Sequence, residues 1–333
     1  MAGIVFSKLS GKNDSLYKAV EGVLTEVIAD AEKETNRHDE VLTAMCAMKT
    51  SDKFGERVGG RTTFGDFAPI PEGGVIVKDE IEEGFGKLVQ HTAFAKGFTT
   101  THEMAADGDV DAASAVAREF VESYKRSRLD FATAYLTTEG TTFQYGGKTF
   151  DKTTGDGVGF FSTGHLNKKN SATQSNVYTN AFGTTSDMLN RLAVIGRNFK
   201  DDSYNPTGWT FDTIIIPSNC YALEDTIKKV IASEQVVGSN YNDINTQKGK
   251  WKLVINHRWE AAAGTAPYIL MASEANKNYG ALRWYEREAL DIRNWVDENT
   301  RNLEWSGYCR QSILGADWKG FILGGAQSGT TLL

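Results

Sequence analysis

The chain has 333 residues, 40% hydrophobic and 24% charged, enough apolar side chain for a buried core in one large or two medium domains. Its formal net charge of −7 is spread without a long single-sign block, which excludes recognition of nucleic acid through a basic surface, since counterion release needs clustered Lys and Arg. Cys46, Cys220 and Cys309 make no CxxC spacing or disulfide framework, and there is neither a signal-peptide core nor a run of about 18 apolar residues, so a soluble protein kept in a reducing compartment is expected.

In chain order, Ser15–Lys33 is predicted as an amphipathic helix with Leu16, Val20, Val23, Leu24, Val27, Ile28 and Ala31 on one face, capped by Asp14 or Ser15. A charged stretch, KETNRHDE, follows, and residues 45–61 read as a loop with one short strand. The stretch from Phe64 to Tyr135 organises the chain: a long β-ribbon, then at once a long helix. Residues 74–80 and 87–101 are rich in Val, Ile, Phe and Thr with partial period-two alternation, and Gly84 and Gly86 mark a turn or bulge between them. Residues 109–136 carry Val110, Ala113, Ala117, Phe120, Tyr124, Phe131 and Tyr135 at helical spacing, with Asp107 and Asp109 before them as cap and favourable charge. Such a helix is roughly 40 Å long, and a ribbon that acidic and Gly-marked finds no cover within one compact subunit. It is either an exposed arm or lies on a neighbour.

The Gly- and Thr-rich stretch 137–159 fits a loop with a small hairpin, and 160–165 a strand. A helix is predicted over 185–200, a buried strand over 209–216 and a helix over 218–232, followed by a polar loop at 238–249. Strands are expected at 251–259 and 268–273, two more within 282–309 joined through DENTRN, and a last one at 318–323 before a disordered tail, GGAQSGTTLL. The class is α+β, with neither βαβ alternation nor an internal repeat.

Motifs with chemistry are weak. His102-Glu103 starts like a zincin helix, but the second histidine would fall at Ala106. The glycines 155, 157 and 159 precede a strand, whereas a phosphate loop must open a helix. The five histidines are scattered without a second ligand at i+2 to i+4, and the tryptophans crowding the last third read as core or interface filling. No catalytic, cofactor-binding or metal residues are therefore assigned, and no cofactor is expected. The acidic run Glu72, Asp79, Glu80, Glu82 and Glu83 is either a solvated face or a set of partners for basic groups on a neighbour. On the second reading Asp79, Glu80, Glu82 and Glu83 are intersubunit contact candidates, facing Arg118, Lys125, Arg126 and Arg128 on the polar side of the long helix.

The order of elements, together with AKGFTTTHEM entering the long helix, GHLNKKN and TNAFG ahead of the next one, TIIIPSNCYALEDTIKKVI, and the closing LRWYEREALDIRNWVDENTRNLEWSGYCRQSILGADWKGFILGG, resembles the major capsid protein of tailed bacteriophages, the Hong Kong 97 fold. The resemblance implies an α+β capsid fold with an N-terminal arm (1–40), an extended β-ribbon loop region (41–100), a peripheral domain with its spine helix (101–159), a compact axial domain (160–275), strands returning to the peripheral domain (276–323) and a flexible tail (324–333). It implies a structural subunit of an icosahedral phage head, assembled in the host bacterial cytoplasm into pentamers and hexamers that enclose double-stranded DNA. Partners would be copies of itself, a portal, a decoration protein and packaged DNA held non-specifically, with no membrane. An arm of 40 residues is too short for a fused, cleavable scaffold and points to a separate scaffolding protein. Some members weld neighbours by a Lys-to-Asn isopeptide bond, for which the ribbon offers Lys78 and Lys87 and the returning strands offer Asn294, Asn299 and Asn302; spacing shows no such bond, and non-covalent assembly is expected here. Two alternatives stand: an encapsulin-type nanocompartment shell of the same fold, and a soluble hydrolase with a site near His165.

Overall fold

A computed structural model describes residues 15–61, 67, 69–76, 78, 83–107, 110–183, 187–237 and 243–332. Helix α1 is Ser15–Lys33, as its periodicity predicts. The charged stretch after it is not a loop: Asn36 Oδ1 accepts from the amides of His38 and Asp39, and Asp39 and Glu40 lie in the first turn of α2, Arg37–Met45. A side-chain cap and acidic residues at the positive helix end are sufficient to start a helix that buries Leu42 and Met45.

Two strands, β1 (Ala47–Thr50) and β2 (Gly55–Arg61), occupy the predicted loop. Strand β2 pairs antiparallel with β3 (Glu83–Gln90), so the first strand of the ribbon lies N-terminal to the predicted 74–80 segment. Residues 74–76 and 78 belong to no strand, and the remainder of 77–82 falls outside the described residues. The reason is local: the Gly74 amide closes a turn on the Pro71 carbonyl at 2.9 Å, Gly73 sits at φ +78°, and Pro69 and Pro71 have no amide to give to a ladder. Gly84 and Gly86 lie inside β3, where the register shifts between the Gly59–Gly86 and Arg61–Glu83 pairs, and this is the expected bulge.

Buried His91, hydrogen-bonded to Ser312 Oγ at 2.9 Å and Ser51 Oγ at 3.2 Å, separates β3 from β4 (Thr92–Thr100). After the short α3 (His102–Ala106), capped by Thr101, the long helix α4 runs Val110–Thr137. Its 28 residues make it about 42 Å long.

A hairpin of β5 (Thr142–Tyr145) and β6 (Lys148–Asp151) turns on Gly146 and Gly147, both at positive φ. Residues 160–165 do not form the predicted strand; Phe160 is buried between Tyr135 and Phe321, and only β7 (His165–Leu166) pairs, with β8 (Thr173–Gln174). Then follow α5 (Asp187–Arg197), β9 (Thr213–Pro217), α6 (Tyr221–Ala232), β10 (Lys252–Asn256), β11 (Tyr268–Met271), β12 (Leu282–Val296), β13 (Leu303–Gly315) and β14 (Phe321–Gly324).

The strands build two four-stranded sheets, ordered β1-β12-β13-β4 and β10-β9-β11-β14. The second is a small compact sheet with β10 and β14 at its edges. One core joins the two, with Phe131, Tyr135 and Trp284 on one side and Ile214, Ile215, Tyr268 and Phe321 on the other. A smaller core packs Val20, Leu24 and Ile28 of α1 against Ala113, Ala117, Phe120 and Val121 of α4, closed by Leu303 and Trp305. The C-terminal residues are docked, not disordered: the Thr330 amide donates to the Val177 carbonyl at 2.9 Å and the Leu332 amide to Asn180 Oδ1 at 2.8 Å.

Candidate assembly surfaces

Among the described residues, the ribbon is tied to the rest of the chain at its base. Lys87 Nζ reaches the Asp151 carboxylate and Thr153 Oγ1, and Phe85 lies so close to Gly155 that a Cβ there would meet its backbone at 3.0 Å. Burial pushes the Asp151 carboxyl up, but hydrogen bonds from Lys87 and Thr153 outweigh it and hold the group below the usual carboxylate range. Beyond that base, large apolar side chains stand in solvent: Phe67 fully, Val75 at 88% and Ile76 at 72% exposure, with Ile70 also uncovered; at the base itself Phe54 and Leu88 are exposed. Scattered apolar residues are normal on a surface, but Phe67, Ile70, Val75 and Ile76 stand close together in the chain, which makes this loop a candidate contact surface.

The acidic candidates Asp79, Glu80 and Glu82 lie outside the described residues, and of Glu83 only the backbone, in β3, is described. Their expected partners on α4 divide. Arg118 is exposed and Arg126 half-buried, 3.3 Å from Glu119. Lys125 and Arg128 are instead taken up inside the subunit. Lys125 Nζ donates to the Ala31 carbonyl at 2.9 Å and to the Glu34 carbonyl, and lies 3.3 Å from Asp39. Arg128 lies 3.6 Å from Asp39 and 3.8 Å from Glu286, with its guanidinium over the rings of Tyr124 and Trp284. Helical periodicity puts both on the polar side of α4, but α2 and the end of α1 close over that side.

Two hollows flank α4. The groove between α1 and α4, about 600 Å³, has an apolar floor of Val23, Val27 and Val121 and a rim of Glu26, Asp30, Glu34, Glu119 and Glu122 beside Arg118. Between α4 and the larger sheet a second hollow of about 210 Å³ is lined by Phe94, Phe120, Tyr124, Leu290 and Gln311, whose buried Oε1 has no hydrogen-bond partner.

Residues proposed for covalent welding are placed as follows. Lys78 is exposed and Lys87 is held by Asp151; Asn294 Nδ2 donates to Glu21 Oε1 at 3.1 Å, Asn299 folds onto Asp297, and Asn302 Oδ1 accepts from the His102 amide. His165 is fully buried, stacked on Trp318 with centroids 4.0 Å apart, and 2.7 Å from Asp156. The imidazole the hydrolase alternative points to is therefore closed to solvent.

The sequence gives no hint of a polar network linking α2, α4 and the end of β10. His38 Nε2 lies 2.8 Å from Glu122 Oε1, and His38 Nδ1 lies 2.7 Å from His257 Nε2. Asn256 Nδ2 donates to Thr133 Oγ1 at 2.8 Å, and Arg258 forms a bidentate pair with Asp130, Nη2 to Oδ2 at 3.0 Å. Only the fold brings residues more than 200 positions apart together.

No protein-family model matches the sequence, and no curated protein matches it. Solved structures do. The capsid of a native GTA particle aligns with 87% of this chain and 90% of its own at 12% identity, TM-score 0.56. Gordonia phage Cozz aligns with 85% of each chain at 12% identity, TM-score 0.51, and Mycobacterium phage Patience with 92% of this chain and 87% of its own at 11% identity, TM-score 0.50. At these identities the likeness is one of fold: the chain has a mixed α and β fold shared with phage capsids over most of its length.

Proposed function

We propose that this chain is the structural subunit of an icosahedral phage head, forming pentamers and hexamers that close around double-stranded DNA. The observation that carries the reading is the projecting loop, whose Phe67, Val75 and Ile76 have no cover in their own subunit, on a chain that shares its fold with a phage-type capsid along most of its length. Apolar surface of this kind is covered by association, and contacts between two different patches of identical subunits generate rings and closed lattices. The acidic loop residues add charge, and Arg118 and Arg126 of a neighbouring α4 are the partners proposed for them. A net charge of −7 suits a shell that holds DNA without gripping it. A separate scaffolding protein, a portal and a decoration protein complete the proposed set of partners, in a virion assembled in the bacterial cytoplasm.

Negative-stain electron microscopy of the purified protein, alone and with its scaffolding protein, tests this. Rings, sheets, tubes or shells are expected. A monomer that stays monomeric at micromolar concentration with the scaffold present overturns the proposal, and closed particles filled with protein cargo would move it to an encapsulin-type compartment.

A further inference from the structure

We infer that Asn256, His257 and Arg258 form an acid-labile clasp fastening the edge of the compact sheet to helices α2 and α4. Strand β10 is the outer strand of its sheet, and the three consecutive residues at its end each hold a different partner: Thr133, His38 and Asp130. Thr133 and Asp130 stand three apart on α4 and so share a face. Glu122, eight residues before Asp130, continues that side and takes His38 at 2.8 Å and Asn36 Nδ2 at 2.7 Å. The clasp thus spans three elements through two carboxylates, two imidazoles, two side-chain amides, a hydroxyl and a guanidinium.

Its centre is sensitive to acid because of how protons are counted. Burial pushes the Glu122 carboxyl up, but hydrogen bonds from His38 and Asn36 outweigh it and hold the group below its ordinary range, so it stays an acceptor. His38 Nε2 must then carry a proton toward Glu122. The 2.7 Å contact between His38 Nδ1 and His257 Nε2 has room for one hydrogen, so one of the two rings must be neutral. When both rings are charged, two N–H groups face each other without an acceptor. The charged groups facing His257 are His38 and Arg37 from α2, Asp130 from α4 and its neighbour Arg258; only Asp130 favours the second proton, and it is already paired with Arg258.

The direction follows. Burial, then His38, Arg37 and Arg258, lower the affinity of His257 for its proton below the ordinary histidine value. A depressed folded value means that the clasp's contribution is present above about pH 6.5 and is lost as pH falls through the folded value. The neighbouring Asn256–Thr133 contact holds no titratable group, and the Asp130 carboxylate makes the Arg258 guanidinium hold its proton more tightly, so the centre opens first.

Hydrogen exchange of the full-length free subunit, corrected for the intrinsic rate at each pH, tests this over residues 253–258 and 36–42. Between pH 7.5 and 5.0 the wild type is expected to open more often, by about tenfold for each unit of depression of His257. His257→Gln keeps a donor and an acceptor for His38 but no titration, so its exchange should lose that acid response. An acid response in His257→Gln equal to the wild type overturns the clasp. Should that variant fail to fold, nitrogen-15 spectra of the wild-type imidazoles decide: His38 and His257 titrating as a coupled pair supports the inference, and two independent titrations at ordinary values overturn it.

Discussion

Lys125 stands where the sequence places only polar, outward-facing residues, yet its side chain is 4% exposed. Its ammonium meets the carbonyls of Ala31 and Glu34, at and just past the C-terminal end of α1, and the Asp39 carboxylate in the first turn of α2. A cation at the negative end of one helix and beside an acid at the positive end of the next fastens both to α4. Lys125→Ala strands two carbonyls that have left water, and a loss of about 2 kcal/mol is expected in chemical denaturation, less than for a lone buried charge because Arg128 still pairs with Asp39. Lys125→Met, which restores the packing of the stem but not the charge, should recover only part of it. A neutral result for Lys125→Ala would return the residue to the solvated face that the sequence suggests. Periodicity places a side chain on a helix face, but which neighbour closes over that face depends on contacts from distant parts of the chain. His38 and His257 were opaque for the same reason.

Elements with strong periodicity were legible, and those defined by a partner were not. Helix α1 begins and ends where its apolar spacing says, and α4 within a residue at either end, because burial of one face decides both. Strands β12 and β13 are joined through DENTRN as predicted. Strand β2, GERVGGR, has poor strand propensity and forms because β3 lies opposite, where Gly55 lets the Val89 carbonyl come within 2.8 Å of an added Cβ. The residues freed from the ladder instead carry the exposed loop. Replacing Phe67, Val75 and Ile76 together by Ser is expected to leave the subunit's stability within about 0.5 kcal/mol, since none has a core contact to lose, while abolishing assembly. Replacing Glu80, Glu82 and Glu83 together by Lys is expected to do the same through charge. Circular dichroism and particle yield read both; normal yield from the serine variant would show that the loop's apolar residues face solvent in the shell, and an unfolded variant that the loop belongs to the subunit's core.

At the scale of the whole molecule, the subunit divides its chemistry between what holds it together and what it leaves unspent. The core that joins the two sheets is closed, and the lysine nearest the ribbon's base is already committed: Lys87 is bound to Asp151 and Thr153, with its side chain 14% exposed. An amine that bonds to the side-chain carbonyl carbon of a neighbouring asparagine must first leave its counterion, and the Lys87–Asp151 pair opposes that. Asn294, Asn299 and Asn302 are each engaged in hydrogen bonds within the subunit. What remains for assembly is apolar surface and exposed charge, each contact worth about 1 kcal/mol or less for an ion pair, repeated in every subunit so that small terms add. Shells formed by the assembly proposed above are therefore expected to be non-covalent. Boiled in detergent, they should run as a single band at the monomer mass, and raising the salt concentration should lower the yield of particles where loop carboxylates meet α4, because the Debye length falls from about 8 Å at 0.15 M to about 3 Å at 1 M and exposed pairs are then screened. A ladder of oligomers that survives boiling would overturn this, and its loss in Lys78→Arg but not in Lys87→Arg would name the amine that forms the bond.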